Sequence, residues 1–498
     1  MSPAVGIVGG TEAEVCRPWL RHILTHGEWT GLAVASVAEA WPLLAHWADT
    51  IQVHALFLDP EALTVVLVST PVEAGSYPAL SPILPGAAWY ERMVHDLWGH
   101  TATGATDLRP WLDHGRWPQI RPMASRPEPR TMMEPPDLSG TDPADAMVLP
   151  LGPVWGRLEE AAHLRLVLDG SLIARAEAFL GFTHKGSLTL MRGKSPRAAA
   201  RFAARLSGDA TVAHALAFAQ ATEAALDVVA PARAATLRIV MLEIERIAVH
   251  LHTLAEVARL AAFPAVENRC GVLREHLLRA AETAFGHRLM MDCVVPGGVA
   301  TDIAAPGAEA ILRALGEIAG QLEELSRLHD GPALASRLRF LGRAEAEWVA
   351  ALGVGGVVGR TAGRGFDVRA VFAPAYAPLA PQPVMRTEGD AAARQHGRLL
   401  EIAESLRLIG IALESLPDGP LTIALPQVSG EGIGCAESAR GDVWHWLRLD
   451  HGQIAAAFTR DPGWALWPLA EHVLLRTPAE EAALVRASLA LPASGMDL

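Results

Sequence analysis

Five stretches of the chain, near residues 197–229, 232–262, 266–290, 305–328 and 388–415, carry apolar side chains at helical spacing and are apolar round most of their circumference. A helix of that kind has no face to give to water, so the five must bury one another. That constrains this part of the chain to a packed multi-helix bundle. The 498 residues, half of them hydrophobic, supply the interior such a bundle needs. They also exceed what one ordinary core holds, so two or more domains are expected. Ser195-Pro196 opens the first run with a capping hydroxyl before a proline at the first helical position.

The chain ahead of the bundle has a different texture. Thr11-Glu12-Ala13-Glu14 reads as a capping box opening a helix that runs towards His26, and Val37 to Asp49 reads as a second helix. Ile51 to Leu58 and Leu63 to Ser69 read as strands joined through Asp59-Pro60, and Pro85-Gly86 precedes a helix from Ala87 to Leu97. Residues 1–118 are therefore expected to form a small α+β domain with an antiparallel sheet. Over 119–150, Pro122, Pro127, Pro129, Pro135, Pro136 and Pro143 break any period and leave an extended linker packed on a neighbour. Residues 151–498 form the second domain. It starts with a hairpin, His163 to Leu168 and Leu172 to Phe179, turning at Asp169-Gly170. After the bundle come short strands at Leu421 to Ala424, Val443 to Leu449 and Gln453 to Thr459, then a helix from Trp464 to Leu475. The expected class is α+β, a small sheet domain followed by a mainly helical bundle with flanking short strands.

Several function classes drop out. A formal charge of −13 offers no basic face for nucleic acid. Cys16, Cys270, Cys293 and Cys435 include no C-x-x-C pair and read as buried free thiols of a reducing compartment. The first fifteen residues lack the basic and apolar regions of a signal peptide, and no run approaches a membrane span. A soluble chain is expected, meeting any membrane through partners.

Polar residues in unusual places are the candidates for chemistry. Glu243, Arg246 and His250 share one stripe, at i, i+3 and i+7, of an otherwise apolar helix. They form either a solvated or salt-bridged stripe, or a buried network that conducts protons or supports a site. Glu160 and His163 stand just before the hairpin and His184-Lys185-Gly186 just after it, where a histidine either caps a strand or faces a site. Val295-Pro296-Gly297-Gly298-Val299 is a plain turn or a backbone that something approaches closely. The glycine-rich run from Gly353 to Arg369 lacks the ending of a phosphate loop and does not fit a dinucleotide turn. It is either a glycine-lined wall near Arg360 and Asp367 or a surface loop. His95, His100, His250 and His252 lack further ligands, so no metal site is expected.

Taken in order, these motifs resemble one superfamily. Tyr90-Glu91-Arg92-Met93-Val94-His95-Asp96-Leu97-Trp98-Gly99, followed by Asp107-Leu108-Arg109, is similar to the signature of the 30-kDa subunit of respiratory complex I. Gly152, Pro153, His163 and Arg165, then Gly181 to Gly186, Leu242 to His250, Pro296 to Val299, and Arg360 with Asp367-Val368-Arg369 resemble a second group. These match the complex I 49-kDa subunit and the large subunits of energy-converting nickel–iron hydrogenases. Both parts on one polypeptide resemble the hydrogenase-4 and formate hydrogenlyase type. Leu206-Ser207-Gly208-Asp209-Ala210-Thr211-Val212-Ala213-His214 looks like the segment that carries the first metal-binding Cys pair, with Ser207 and Ala210 in place of the thiolates. A second pair belongs near the C-terminus, yet no cysteine follows Cys435. Oxygen and methyl do not replace soft sulfur ligands, so no metal is expected. The His and Tyr that face the quinone in complex I relatives fall at Ala161 and Gly208.

The resemblance implies a peripheral electron-transfer subunit of a membrane-bound NADH-quinone-oxidoreductase-like or hydrogenase-related complex, on the cytoplasmic side of the inner membrane. A [4Fe–4S] small subunit and integral, ion-translocating membrane subunits are the implied partners. A quinone-like acceptor or another substrate is the implied occupant of a cavity, and NAD is bound by another subunit in the relatives. Glu160, His163, Glu243, Arg246 and His250 are the implied catalytic and proton-relaying groups. His184, Ser207, Gly208, His214, Gly297, Gly298, Arg360, Asp367 and Arg369 are the implied cavity wall. A redox-silent scaffold that couples protonation to the membrane subunits is the alternative.

Overall fold

The computed structural model describes residues 19–132, 146–155, 160–496 and 498. The box at Thr11–Glu14, Cys16, and Pro135, Pro136 and Pro143 lie outside them. The first domain is built on β1 (Trp19–Ile23), α1 (His26–Ala38), β2 (Leu43–Ala48), β3 (Gln52–Asp59) and β4 (Thr64–Pro71), with sheet order β1-β4-β3-β2. The pair β1–β4 is parallel and the others are antiparallel, so the sheet is mixed and not antiparallel throughout. Both helices expected here are corrected. Residues 19–23 are a strand, and the helix that follows starts at a capping box formed by Thr25 and Glu28. Val37 to Asp49 does not continue as a helix because Pro42 forbids the ladder bond and pushes Trp41 out of helical conformation. The chain turns there and returns as β2.

The complex-I-like motif on α2 (Ala87–Trp98) has a plain structural use. Glu91 accepts from the amides of Leu80 and Ser81, Asp96 from those of Trp111, Leu112 and Asp113, and Arg92 donates to the carbonyls of Arg109 and Pro110. Each charged side chain satisfies the backbone of a loop that has no ladder of its own. The expected linker keeps some order: residues 119–120 pair with 128–129, and its end becomes β5 (Met147–Leu151). This strand pairs with the expected hairpin, β6 (His163–Asp169) and β7 (Leu172–Phe179), in the order β7-β6-β5.

The five apolar runs are helical, with one break. The first divides into Pro196–Ala203, capped by Ser195, and α3 (Thr211–Leu226), parting at Leu206–Ala210. Then come α4 (Ala232–Leu260), α5 (Pro264–Phe285), α6 (Ala305–Asp330) and α7 (Ala391–Glu414). The C-terminal part adds an antiparallel sheet of β8 (Gly430–Ser438), β9 (Gly441–Asp450) and β10 (Gln453–Arg460), and a helix over Gly463–Val473. Leu421 to Ala424 is not a strand; only Thr422 makes an isolated bridge, to Gly298. Cys270, Cys293 and Cys435 are buried free thiols.

The two halves share one interior. Trp47 of the first sheet stacks on Phe458 of the last at 4.9 Å, Tyr90 stacks on Trp464 at 4.7 Å, and Arg448 pairs with Asp49. Inside the second half, β8 lies directly on α3. A Cβ built on Gly430, Gly432 or Gly434 would sit 1.9, 2.2 and 2.2 Å from the carbonyl oxygens of Ala225, Ala221 and Ala217. The strand period of two thus meets the helix period of four through glycine alone. Gly432→Ala is expected to destabilise the chain by about 1–3 kcal/mol, read as a lower melting temperature. Gly316→Ala, on an exposed part of α6 with nothing within 4 Å, is expected to raise it. Equal effects of the two variants would refute the close packing of β8 on α3.

Candidate functional site

The stripe Glu243–Arg246–His250 is inside the protein. From α4, Arg246 donates to Glu243 at 3.2 Å and pairs with Glu401 of α7. Arg360 binds Glu401 at 2.8 Å, Glu437 of β8 at 2.7 Å and Asp367 at 3.3 Å. Arg369 binds Asp367 at 2.7 Å, Glu401 at 2.9 Å and Glu243 at 3.3 Å. Tyr376 and Ser405 donate hydroxyls to Glu243. All these acidic and basic groups are at most 2 % exposed. His250 is buried beside Arg246 with its Nε2 unpartnered among the described residues, and burial holds its pKa well below the usual histidine value.

Three guanidiniums, Arg246, Arg360 and Arg369, therefore face four carboxylates, Glu243, Asp367, Glu401 and Glu437. An uncompensated buried charge is expensive, and the surplus carboxylate relieves it by keeping its proton. That group is Glu437, which burial, and then the charge of Asp367, push up to about 7. Glu401 goes the opposite way: Arg360, Arg369 and Arg246 outweigh its own burial and hold it far below the ordinary range.

The break at Leu206–Ala210 leads into a different place. Glu245, two residues from Glu243 and so on another face of α4, accepts from the amides of Val212 and Ala213. It caps the start of α3, where no local side chain does so. Burial pushes its carboxyl up to about 8 against those two bonds. Ser207 donates to Asp209 at 2.8 Å, and Asp209 pairs with Arg440. Lys185 bonds the carbonyls of Leu206 and Ser494, and His214 lies 3.1 Å from Asp461 and 3.0 Å from His445. Four separate parts of the chain thus hold the short segment still.

Beside it opens a cavity of about 820 Å³, bordered by Trp155, Glu160, Asp209, His252, Arg440 and Trp467 among others. Arg440 anchors on the carbonyl of Ala490, and Glu160 accepts from the amides of Ala493 and Ser494. Its border is mostly charged, with Trp155 and Trp467 among the lining side chains and the Arg486 guanidinium over the Trp155 ring. Asp209 is held down to about 2, with the Arg440 charge outweighing burial, while burial keeps His252 low. A carboxylate–guanidinium pair at the border of such a cavity suits a molecule with a polar end. The same segment does not suit a nickel–iron centre: the Ser207 hydroxyl is bonded to Asp209, and Ala210 has no donor at all.

The remaining candidates sit elsewhere. His163 is buried against Phe179, with Nδ1 3.4 Å from the Gly152 carbonyl, and His184 stacks on Trp117 at 4.3 Å. Gly297 donates its amide to Glu223, which pairs with Arg238, and a Cβ on Gly298 would lie 1.9 Å from the Leu421 carbonyl. What approaches these glycines is the protein's own chain. So too at Gly356, where a Cβ would lie 2.4 Å from the Arg440 carbonyl. Of the expected set, Glu243, Arg246, Arg360, Asp367 and Arg369 come together, with His250 adjacent. Glu160 joins Asp209 at the cavity.

The chain and its fold have known counterparts. Residues 25–127 match the family "Respiratory-chain NADH dehydrogenase, 30 Kd subunit", and residues 269–431 match "Respiratory-chain NADH dehydrogenase, 49 Kd subunit". Hydrogenase-4 component G of Escherichia coli (strain K12) is 28% identical over 454 residues, 88% of this chain and 79% of that one. Formate hydrogenlyase subunit 5 of the same organism is 27% identical over 441 residues, 85% and 77% of the two chains. An NADH-quinone oxidoreductase subunit of Salinispora arenicola is 30% identical over 293 residues, 58% and 66% of the two. A chain of an archaeal respiratory membrane complex, the membrane-bound sulfane sulfur reductase, shares the fold with a TM-score of 0.65 at 21% identity, over 72% of this chain and 100% of that one. With both matches on one polypeptide, the chain is a fusion of complex I 30-kDa-type and 49-kDa-type domains, homologous to the hydrogenase-4, formate hydrogenlyase and NADH-quinone oxidoreductase subunits.

Proposed function

We propose that the chain is the peripheral electron-transfer subunit of a membrane-bound, complex-I-like or hydrogenase-related oxidoreductase. A partner carrying a [4Fe–4S] cluster docks beside the cavity, integral membrane subunits lie beneath, and the assembly faces the cytoplasm. No helix among the described residues is long and apolar enough to cross a membrane, in keeping with attachment through partners. The observation that carries the reading is the cavity at Asp209 and Arg440. It opens at the segment where the hydrogenases hold their metal, and here that segment offers no thiolate. The occupant is then an organic acceptor of the quinone class, taking two electrons from the partner's cluster and two protons. Arg440 donates to its oxygen. Glu245 and Glu437 are the buried carboxyls that hold protons near neutrality.

The sealed ion cluster favours a second reading, the redox-silent scaffold. Its one surplus carboxylate would register protonation and pass it to the membrane subunits without any acceptor bound. Redox titration of the cluster signal in the purified complex, with and without quinone, separates the two. Under the first reading quinone shifts the signal, and Arg440→Met removes the shift and lowers quinone reduction about tenfold or more, as for one lost charged hydrogen bond. A signal indifferent to quinone in an intact complex would leave the scaffold.

The proton held by Glu437 has its own test. In the unfolded chain a glutamate ionises near pH 4.3, about three units below the value in the fold. A raised carboxyl stabilises the fold fully below the unfolded value, and that contribution is lost as pH rises through about 7. Glu437→Gln is expected to narrow the drop in melting temperature between pH 5 and pH 8. An unchanged drop would mean that Glu437 is ionised throughout.

A further inference from the structure

Three donors meet outside the sites described so far, where α6 ends against α7. His329 and Asp330 close α6, and His396 lies near the start of α7. Both imidazoles address one carboxylate oxygen: Nδ1 of His329 is 3.0 Å and Nδ1 of His396 is 3.4 Å from Oδ1 of Asp330. One ligand atom from each residue lies within 4.8 Å of the other two. Ligands about 2.0–2.1 Å from a tetrahedral zinc are about 3.3–3.4 Å apart, so the separations to Asp330 already bracket that edge. Two imidazoles and a carboxylate are a zinc-type donor set.

The surroundings complete the picture. His329 is 3 % exposed, while the side chain of Asp330 is half exposed and that of His396 a quarter exposed, so the three donors close an inner side and leave an outer one to water. On the inner side, Nε2 of His329 and both amide atoms of Gln395 are buried without a partner among the described residues. Both side chains border a cavity of about 10 Å³, about the room of one water molecule. A metal-binding histidine donates through its second nitrogen to a neighbouring acceptor, and Gln395 is the polar group available there.

We infer that His329, Asp330 and His396 form a site for a zinc-type divalent cation, with water as the outer ligand, that clamps the end of α6 to α7. Its place in the molecule gives it leverage. The helix it would hold is the one that carries Glu401, to which Arg246, Arg360 and Arg369 all bind.

The test uses the full chain, freed of metal by chelation. Zinc is followed by equilibrium dialysis, and cobalt by its visible absorption. The expected result is a single zinc bound at this place, a tetrahedral cobalt spectrum, and a melting temperature raised by zinc. In His396→Ala the affinity falls about 100-fold or more and the zinc-induced rise disappears, while the metal-free variant melts with the metal-free wild type. Asp330→Asn, with a side chain half in solvent, is the second variant and behaves alike. Zinc binding unchanged in both variants, or no zinc bound by the wild type, would overturn the site. None of these readings depends on quinone reduction or on the proposed partners.

Discussion

Everything in the second half of the molecule is arranged around a guanidinium–carboxylate network that has no water to fall back on. Arg246 ties α4 to α7 through Glu401, Arg360 ties the glycine-rich run to α7 and β8, and Arg369 ties its own short turn to both helices. Removing one partner from such a network typically costs about 3–5 kcal/mol, because a buried charge is left uncompensated. Exchanging the whole set for apolar side chains would cost far less. Stability therefore does not explain why a chain would keep it; register does. With Glu243 and Arg246 of α4 and Glu401 of α7 all paired, sliding one long helix along the other would break the network, and the same register places Glu245 where it caps α3.

The glycines serve the same end by different means. Gly430, Gly432 and Gly434 bring β8 onto the backbone of α3, and Gly355 and Gly356 bring the glycine-rich run onto the turn between β8 and β9. Through these approaches Glu437, at the end of β8, reaches the ion network, while Arg440 in the following turn reaches the cavity. Only two residues, Ser438 and Ala439, separate the group that holds a proton near neutrality from the group that would hold an acceptor. Backbone and side chain both contribute to that join, since Arg246 also donates to the carbonyls of Glu437 and Ser438.

Local signals were readable wherever the structure is decided locally. The apolar helices, the hairpin around Gly170, the Ser195 cap and the strands at Gln52–Asp59 and Thr64–Pro71 all follow from periodicity and turn chemistry. The helix expected to run towards His26 fails over 19–23, where only pairing with β4 tells that the chain is a strand, and the described helix opens at the Thr25–Glu28 box instead. Pro42 was a signal in plain view. β8 was hidden by the very glycines that let it pack, since they remove the alternation of a strand. In the site, Glu243, Arg246, Arg360, Asp367 and Arg369 were legible as polar groups in apolar surroundings. Their partners Glu401 and Ser405 gave the same signal on α7, where Arg394, Arg398, Glu401 and Ser405 recur at helical spacing. Glu437, Asp209 with Arg440, and His329 with His396 meet only through tertiary packing between distant segments, and spacing along the chain holds no trace of them.

The loss of two thiolate positions need not empty a site if the scaffold that positioned them is held by other bonds. Here Ser207 is bonded to Asp209, Asp209 to Arg440, and Arg440 to the Ala490 carbonyl, while Lys185 secures Leu206 from the other side. None of these bonds needs a metal, so the segment keeps its shape with Ser and Ala in it. A chain drifting towards a purely mechanical role would be free to close the adjoining space with larger side chains, because filling a cavity of this kind stabilises a fold. Instead, about 820 Å³ stays open beside a charged pair and two indole rings. Under the proposed reading, this open space beside Asp209 and Arg440 is where an organic acceptor would take the place of a metal, and the scaffold reading gives the space no use.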